Sequence, residues 1–513
     1  MKAAFFLTGL LASTVLAGCA TSTGPAAMTQ NADYGRAVHT PKQAADPYYM
    51  TARERVAARA EMRSAKSAKN VIIFIGDGMG ISTITAGRIY AGQKQGLDGE
   101  SYQLTMETFP NAALSKTYAH DGQVSDSAST AVAIMSGVKT NVATLGLTKD
   151  ARPDNCAGSI GHEVETVFDI AENAGLATGI VSTARLTHAT PAATYSHSAS
   201  RNWENDEDLG AQAEAGCKDI ASQMVDWQAG DGFEIAMGGG RSNFMTSDQA
   251  DPELSDRSGR RGDGRDLTAD WLAKSADHKV IFDQAGFDAI DFSGPSKVLG
   301  LFEPSHMQFE LDRPGDEAGE PALKDLTLAA IERLSQNKDG YVLLIEGGRI
   351  DHAHHAGNAK RALEDTYAFD EAIRAAASTV DLSETLIVVT ADHSHTMTIA
   401  GYPARGNPIL GKAASGVGAY LRGADGKPYT TLNYANGPGG VCKGEDCQRE
   451  DLSDVDTTAD NFLQQSLVPS GSETHAGEDV AIFATGAGAE RVGGVMEQNE
   501  IFFVMAQSLG LVE

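Results

Sequence analysis

Basic residues are scarce in this chain. Lysine and arginine number 41 against 69 aspartates and glutamates, a formal net charge of −28 over 513 residues. So acidic a protein has no broad face with which to neutralise phosphates, which excludes nucleic acid as a partner. The acidity suits a solvated surface and a soluble, exported protein. It also means that an anionic ligand needs local positive charge, such as bound metal. Long apolar runs are equally rare. The run at the N-terminus, Ala3–Ala17, is too short to span a bilayer in comfort. Internal repeats are absent. Cysteine is sparse, with five in all. At this length the chain has room for one large α/β domain or two smaller ones, with ample core.

Lys2 and the apolar run behind it read as an export signal. The run ends Leu16-Ala17-Gly18-Cys19, which resembles a bacterial lipobox and implies cleavage before Cys19 and diacylation of its thiol. Residues 1–19 are then the lipoprotein signal, and the expected location is the bacterial cell envelope, in the periplasm or at the outer membrane. Residues 20–50 lack periodicity and are rich in Thr, Ala, Gly and Pro, which describes a tether. Residues 51–513 form the expected folded domain. It opens with a charged, Ala-rich helical arm, Thr51–Lys69, placed against a partner subunit. The other four cysteines, Cys156, Cys217, Cys442 and Cys447, are even in number, which in an exported chain suggests two bridges.

The stretch VSDSASTAVAIMSG, 124–137, reads as the start of a buried helix. A Ser at that point lies over unpaired backbone N–H groups and the positive end of the helix dipole, where a phosphate is well received. Ser127 by itself reads equally well as an ordinary N-cap, since a hydroxyl is a poor nucleophile without a base or a metal to activate it. Three apolar strands supply candidate metal ligands just past their carboxyl ends. Asn70–Ile75 precedes Asp77, Tyr341–Ile345 precedes Glu346, Asp351 and His355, and Thr385–Thr390 precedes Asp392 and His393. Such continuous runs belong to a parallel sheet covered on both faces, and ligands in open α/β sheets bind beyond the carboxyl ends. Further strands are expected at Ala177–Thr183 and Glu234–Met237, and helices at Gly161–Ala174, Leu326–Leu334 and Arg361–Ser378. The Gly-rich, polar segment Gly401–Asn436 reads as a small insertion.

In order along the chain, IGDGMG (75–80), VSDSAST (124–130), THATPAATYSHSASRNW (187–203), LLIEGGRIDHAHH (343–355), VVTADHSH (388–395) and ETHAGEDVAIFATG (473–486) resemble the metal-dependent alkaline phosphatases, in wording the animal type. The resemblance covers almost everything from about Asn70 onward. It implies a three-layer α/β/α sandwich with a central, mostly parallel sheet, and a crown insertion at about 401–436 in a homodimer. It implies phosphate monoester substrates and a covalent phosphoserine on Ser127, with Arg201 holding the phosphate. Of two Zn2+, it places one on Asp351, His355 and His475 and the other on Asp77, Asp392 and His393. One Mg2+ falls to Asp77, Thr190 and Glu346. His188 and His352 then touch magnesium-bound water and phosphate indirectly, and His354 is no ligand. Phe302 and Glu303, together with Glu253, resemble part of a Ca2+ site whose remaining acidic partner is out of register here. A Cys156–Cys217 bridge is implied as well, whereas Cys442–Cys447 has no such support.

Two alternatives stand beside this reading. One is a phosphodiesterase or sulfatase on the same fold, although SDSAST lacks the Pro and Arg of a sulfatase site. The other is a surface protein that binds metal or phosphate without turnover, although no ligand is missing. The lipobox makes a prediction of its own: Cys19→Ser releases the protein from the membrane fraction or stalls its processing, because the acyl chains provide the anchor. Fractionation of cells expressing the variant checks this, and a variant that stays with the membrane as the parent does contradicts it.

Overall fold

The computed structural model describes residues 36–441 and 447–513. The signal segment, Cys19, the first part of the tether and Cys442 lie outside these. The strands that build the main sheet begin with β1 (Asn70–Gly76), β2 (Asn111–Lys116), β3 (Ala177–Arg185), β4 (Ile235–Gly239), β5 (His278–Ile281), β6 (Lys297–Leu301), β7 (Tyr341–Gly347) and β8 (Thr385–Ala391). Strands Val480–Gly486 and Gly494–Glu497 complete a ten-stranded sheet. The order across it is Gly494–Glu497, β2, Val480–Gly486, β8, β1, β7, β3, β4, β6, β5. Only Val480–Gly486 runs against its neighbours, β8 and β2.

The apolar runs explain the layering. In β1, Val71, Ile73 and Ile75 enter one core, while Ile72 and Phe74 enter the other. β7 and β8 divide in the same way, with Val342, Leu344, Leu386 and Val388 on one side and Leu343, Ile345, Ile387 and Val389 on the other. All are fully buried. Each such side chain stabilises the sandwich by roughly 1.5–3 kcal/mol relative to exposure. One core carries helices Ser127–Ser136 and Glu500–Ser508, the other Leu323–Leu334 and Ala359–Thr379. This is the three-layer α/β/α arrangement.

Register then sets the site. Ile75 of β1 lies level with Glu346 of β7 and with Thr390 of β8, and Ser182 of β3 lies level with Glu346. Four adjacent parallel strands therefore end side by side, and the polar residues that follow each of them share one rim.

Several boundaries differ from expectation. The arm is helix Pro47–Arg63, begun by Asp46, whose carboxylate accepts from Tyr48 N at 2.7 Å. Its Tyr49 packs on Phe502 and Phe503 of this same chain, and Arg55 pairs with Glu500. Tyr49, Ala52 and Val56 of the arm are thus buried against this same chain. The tether also ends early, since Arg36 already donates to Leu509 O at 2.8 Å. The helix expected from Gly161 starts only at Val167, where a Thr166–Asp169 capping box fixes its first turn. The small sheet around the expected insertion extends beyond 401–436. Its three strands are Met397–Ile399, Leu432–Gly437 and Ser466–Pro469, and Met397, Ile409, Leu410, Leu432 and Tyr434 share a core with Ile89 and Leu363 of the body's helices. Cys156 and Cys217 are bonded to each other. Cys447 is disulfide-bonded as well, and Cys442, its expected partner, is outside the described residues.

Candidate active site and metal centre

Asp126, not Ser127, caps helix Ser127–Ser136. Its carboxylate accepts from Ser129 N at 3.2 Å and Ser129 Oγ at 2.8 Å. Ser127, the first helical residue, is therefore free of capping. Its buried hydroxyl faces Asp77 Oδ1 at 3.3 Å, Asp77 Oδ2 at 3.4 Å and His393 Nε2 at 3.1 Å. Arg201 Nη1 donates to Asp126 Oδ2 at 2.9 Å, so the cap also orients the guanidinium. Burial pushes the Asp126 carboxyl up, but Arg201 and the N–H donors outweigh it and hold the group at about 2.

Two triangles of donor atoms flank Ser127. In the first, His393 Nε2 stands 3.4 Å from Asp77 Oδ1 and 3.3 Å from Asp392 Oδ2. In the second, Asp351 Oδ1 stands 3.3 Å from His355 Nε2 and 3.4 Å from His475 Nε2, and the two imidazole nitrogens are 3.1 Å apart. A tetrahedral zinc with bonds of about 2.0–2.2 Å sets its ligand atoms about 3.3–3.6 Å apart. The tautomers are decisive. His355 Nδ1 meets the carbonyl of Glu473 at 2.6 Å and His475 Nδ1 meets the carbonyl of Ser125 at 2.8 Å. A carbonyl only accepts, so both Nδ1 atoms carry the proton and both Nε2 lone pairs face each other. Lone pairs in that posture repel unless a cation lies between them.

A third group lies beyond Asp77. Glu346 Oε2 accepts from Ser182 Oγ. Glu346 Oε1, Thr190 Oγ1 and His188 Nδ1 are buried without a hydrogen-bond partner. Thr190 lies close enough to lower the Glu346 pKa, though in no hydrogen-bonding geometry. Orphaned buried atoms are costly, and an oxygen-rich set with room for water is what Mg2+ takes. A His188 ring nitrogen lies within 4.8 Å of carboxylate oxygens of Asp77 and Glu346. It also faces Arg201, whose Nη2 donates to His188 Nε2 at 3.0 Å.

The electrostatics point the same way. Asp77, Glu346, Asp351 and Asp392 are all buried. Burial and then mutual repulsion push Asp77 well above the usual carboxylate range, and burial lifts Glu346 to about 7. Burial also depresses His352 and His393 to about 3, which keeps both neutral. Burying this many carboxylates is tolerable only with cationic compensation, and bound metal would reverse these shifts.

The rim thus brings together Asp77, Ser127, Thr190, Glu346, Asp351, His355, Asp392, His393 and His475, with Arg201, His188 and His352 beside them. His354 stays apart, between Thr83 Oγ1 at 3.0 Å and Tyr434 Oη at 2.7 Å. Phe302 and Glu303 are elsewhere. Arg241 donates to Phe302 O at 2.7 Å and to Glu253 at 2.5 Å, so a guanidinium already supplies positive charge there. Glu303 accepts from Gln308 at 2.7 Å, and burial raises it to about 7. Sequence reasoning missed two histidines. His395 Nε2 lies 2.6 Å from Asp351 Oδ1, and its place in ADHSH was the available signal. The His306 ring lies 3.9 Å from that of His352, tilted by 50°, and nothing local marked it.

Comparisons with known proteins identify the family. The sequence profile described as "Alkaline phosphatase" matches residues 68–511. The tissue-nonspecific alkaline phosphatase of Gallus gallus is 43% identical over 477 residues, 91% of this chain and 90% of that protein. Its Homo sapiens counterpart is 42% identical over 477 residues, 91% and 89%. Among solved structures, the alkaline phosphatase of Thermus thermophilus superposes with a TM-score of 0.62 at 25% identity, covering 87% of this chain and 92% of that one. A serine between two metal-ready donor triangles, on this fold and at this level of identity, is a phosphoric monoester hydrolase, and the chain belongs to the alkaline phosphatase family.

Proposed function

We propose that this enzyme hydrolyses phosphate monoesters through a phosphoserine on Ser127, with two Zn2+ in the donor triangles and one Mg2+ on Asp77, Thr190 and Glu346. The facing Nε2 lone pairs of His355 and His475, 3.1 Å apart, are the observation that carries this reading. Zinc, when bound, supplies Lewis acidity at the reacting oxygens and magnesium offsets the negative charge around Asp77. Asp77 and His393 orient the Ser127 hydroxyl. Its proton passes to solvent as Oγ bonds to phosphorus, the ester P–O bond breaks and the alcohol leaves with a proton from water. A second water then splits the phosphoserine into inorganic phosphate and the free Ser127 hydroxyl. Arg201 offers two parallel N–H donors to phosphate oxygens, which fixes the group for in-line displacement. Asp126 keeps the guanidinium aimed, and the N-terminal turn of helix Ser127–Ser136 presents N–H groups to the anion.

The diesterase and sulfatase alternatives are less favoured, because Thr190 and Glu346 supply a complete third donor group. The homodimer stays part of the proposal. The crown's Tyr402 and Val417 are almost fully exposed, which fits a surface covered by a second copy. So does a lipid anchor at Cys19 in the bacterial cell envelope. No helix among the described residues is long and apolar enough to cross a membrane.

Ser127→Ala is expected to bind both zincs, to form no phosphoenzyme and to lose on the order of 10^3 or more in kcat on an aryl monoester. Acid-quench trapping of labelled phosphate and steady-state rates check this, and near-parental turnover would rule out the covalent route.

His188→Asp adds a carboxylate beside Asp77 and Glu346 while keeping an acceptor for Arg201. Magnesium affinity of the zinc-loaded enzyme is expected to rise about tenfold, the equivalent of ~1.4 kcal/mol. Titration with Mg2+ after chelation measures it, and an unchanged titration would make His188 a bystander.

A further inference from the structure

Within the reading just given, we infer that Glu473 is the positioning residue that assembles the Asp351–His355–His475 zinc site. All three ligands reach it by separate routes.

The first route is main chain. Glu473 N donates to His355 O at 2.9 Å, and His355 Nδ1 donates to Glu473 O at 2.6 Å. This closed pair of hydrogen bonds fixes both the tautomer and the aim of the His355 imidazole. The second route is through the carboxylate. Glu473 Oε2 accepts from His395 Nδ1, and His395 Nε2 donates to Asp351 Oδ1 at 2.6 Å. With a carboxylate on each nitrogen, His395 donates at both ends and cannot swivel. Asp351 is thereby held with Oδ1 toward the two imidazoles. The other carboxylate oxygen, Glu473 Oε1, accepts from Thr396 N at 2.7 Å and Thr396 Oγ1 at 2.5 Å, which locks the rotamer. The third route is the backbone pairing of His475–Ala476 with Ser394–His395, in which His475 lies opposite His395. Glu473 stands two residues before His475 and grips the same partner strand.

The surroundings are built to keep Glu473 in place. It is almost fully buried. The crown strand clasps its neighbour, with Asn436 Nδ2 donating to Thr474 Oγ1 at 2.9 Å and Thr474 N donating to Asn436 Oδ1 at 3.0 Å. Gly437, at φ +138°, leaves no slack, because a Cβ there would lie 3.2 Å from the Glu473 Cβ. Among the described hydrogen bonds, none joins Glu473 to Asp77, Asp392 or His393. Its hydrogen bonds reach the ligands of one zinc site and not those of the other, which separates positioning from a general effect on the fold. Ligand-supporting groups of this kind are worth 10- to 100-fold in metal affinity.

Glu473→Gln keeps the size of the side chain and the main-chain bonds to His355. A carboxamide has one oxygen, so it cannot accept from His395 and from Thr396 together. The experiment is zinc content per chain during equilibrium dialysis against a graded chelator, with the visible spectrum of the Co2+-loaded protein as a second readout. The parent should release its two zincs at similar chelator strength. In Glu473→Gln one zinc should leave at roughly 10- to 100-fold lower strength while the other is unmoved, and the cobalt spectrum should lose one component. His395→Asn removes only the relay to Asp351 and should weaken the same single site by a smaller factor. It decides the matter if Glu473→Gln does not fold. Two zincs held as tightly as in the parent, or both weakened equally, overturn the inference. A parent that holds fewer than two zincs overturns the underlying metal assignment instead.

Discussion

The site rests on a repulsion that the polypeptide does not relieve by itself. Four carboxylates and the lone pairs of three imidazoles converge on a buried rim; Arg201 is largely committed to Asp126, and His395, which donates to Asp351 and Glu473, offsets only part of the charge. Left alone, the cluster would take up protons or open to water. Divalent cations convert the same cluster into a stable and reactive one, because they neutralise the charge and give each lone pair a partner. They also turn a strongly acidic protein into one that can receive a phosphate.

The fold makes that convergence affordable. Strands β8, β1, β7 and β3 lie side by side in parallel register, with both faces covered by apolar layers, so their carboxyl ends are held rigidly in one row. Each donor sits within a few residues of such an end or on a segment paired to one. Helix Ser127–Ser136 packs in one of the two covering layers with Asp126 as its cap, and the Ser127 hydroxyl faces Asp77 and His393. The antiparallel strand Val480–Gly486 returns the chain past β8, and His475 rides in on the approach to it.

Much of this was legible in the sequence. The apolar runs ending at Ile75, Ile345 and Thr390 marked strands buried on both faces, and the acids and histidines just past them marked the rim. The serine, the arginine and the donor groups that meet at the rim followed from motifs whose chemistry is specific in combination. What escaped depends on contacts between distant segments. His395 gains a role only because Asp351 and Glu473 close on it from two other parts of the chain. Glu473 reads as one more acidic residue in an acidic protein. The cap passed to Asp126 because a carboxylate one residue earlier reaches the backbone better than a hydroxyl already drawn to Asp77 and His393. Tyr49 of the arm packs on Phe502 and Phe503, a pairing that no local pattern announces.

The most direct test of the account is anomalous diffraction at the zinc absorption edge from crystals of enzyme purified without chelator. The account predicts two zinc peaks about 4 Å apart, one in each donor triangle. It predicts a light ion with no zinc signal among Asp77, Thr190 and Glu346. A triangle without a metal peak, in crystals of enzyme that turns over monoesters, would contradict it.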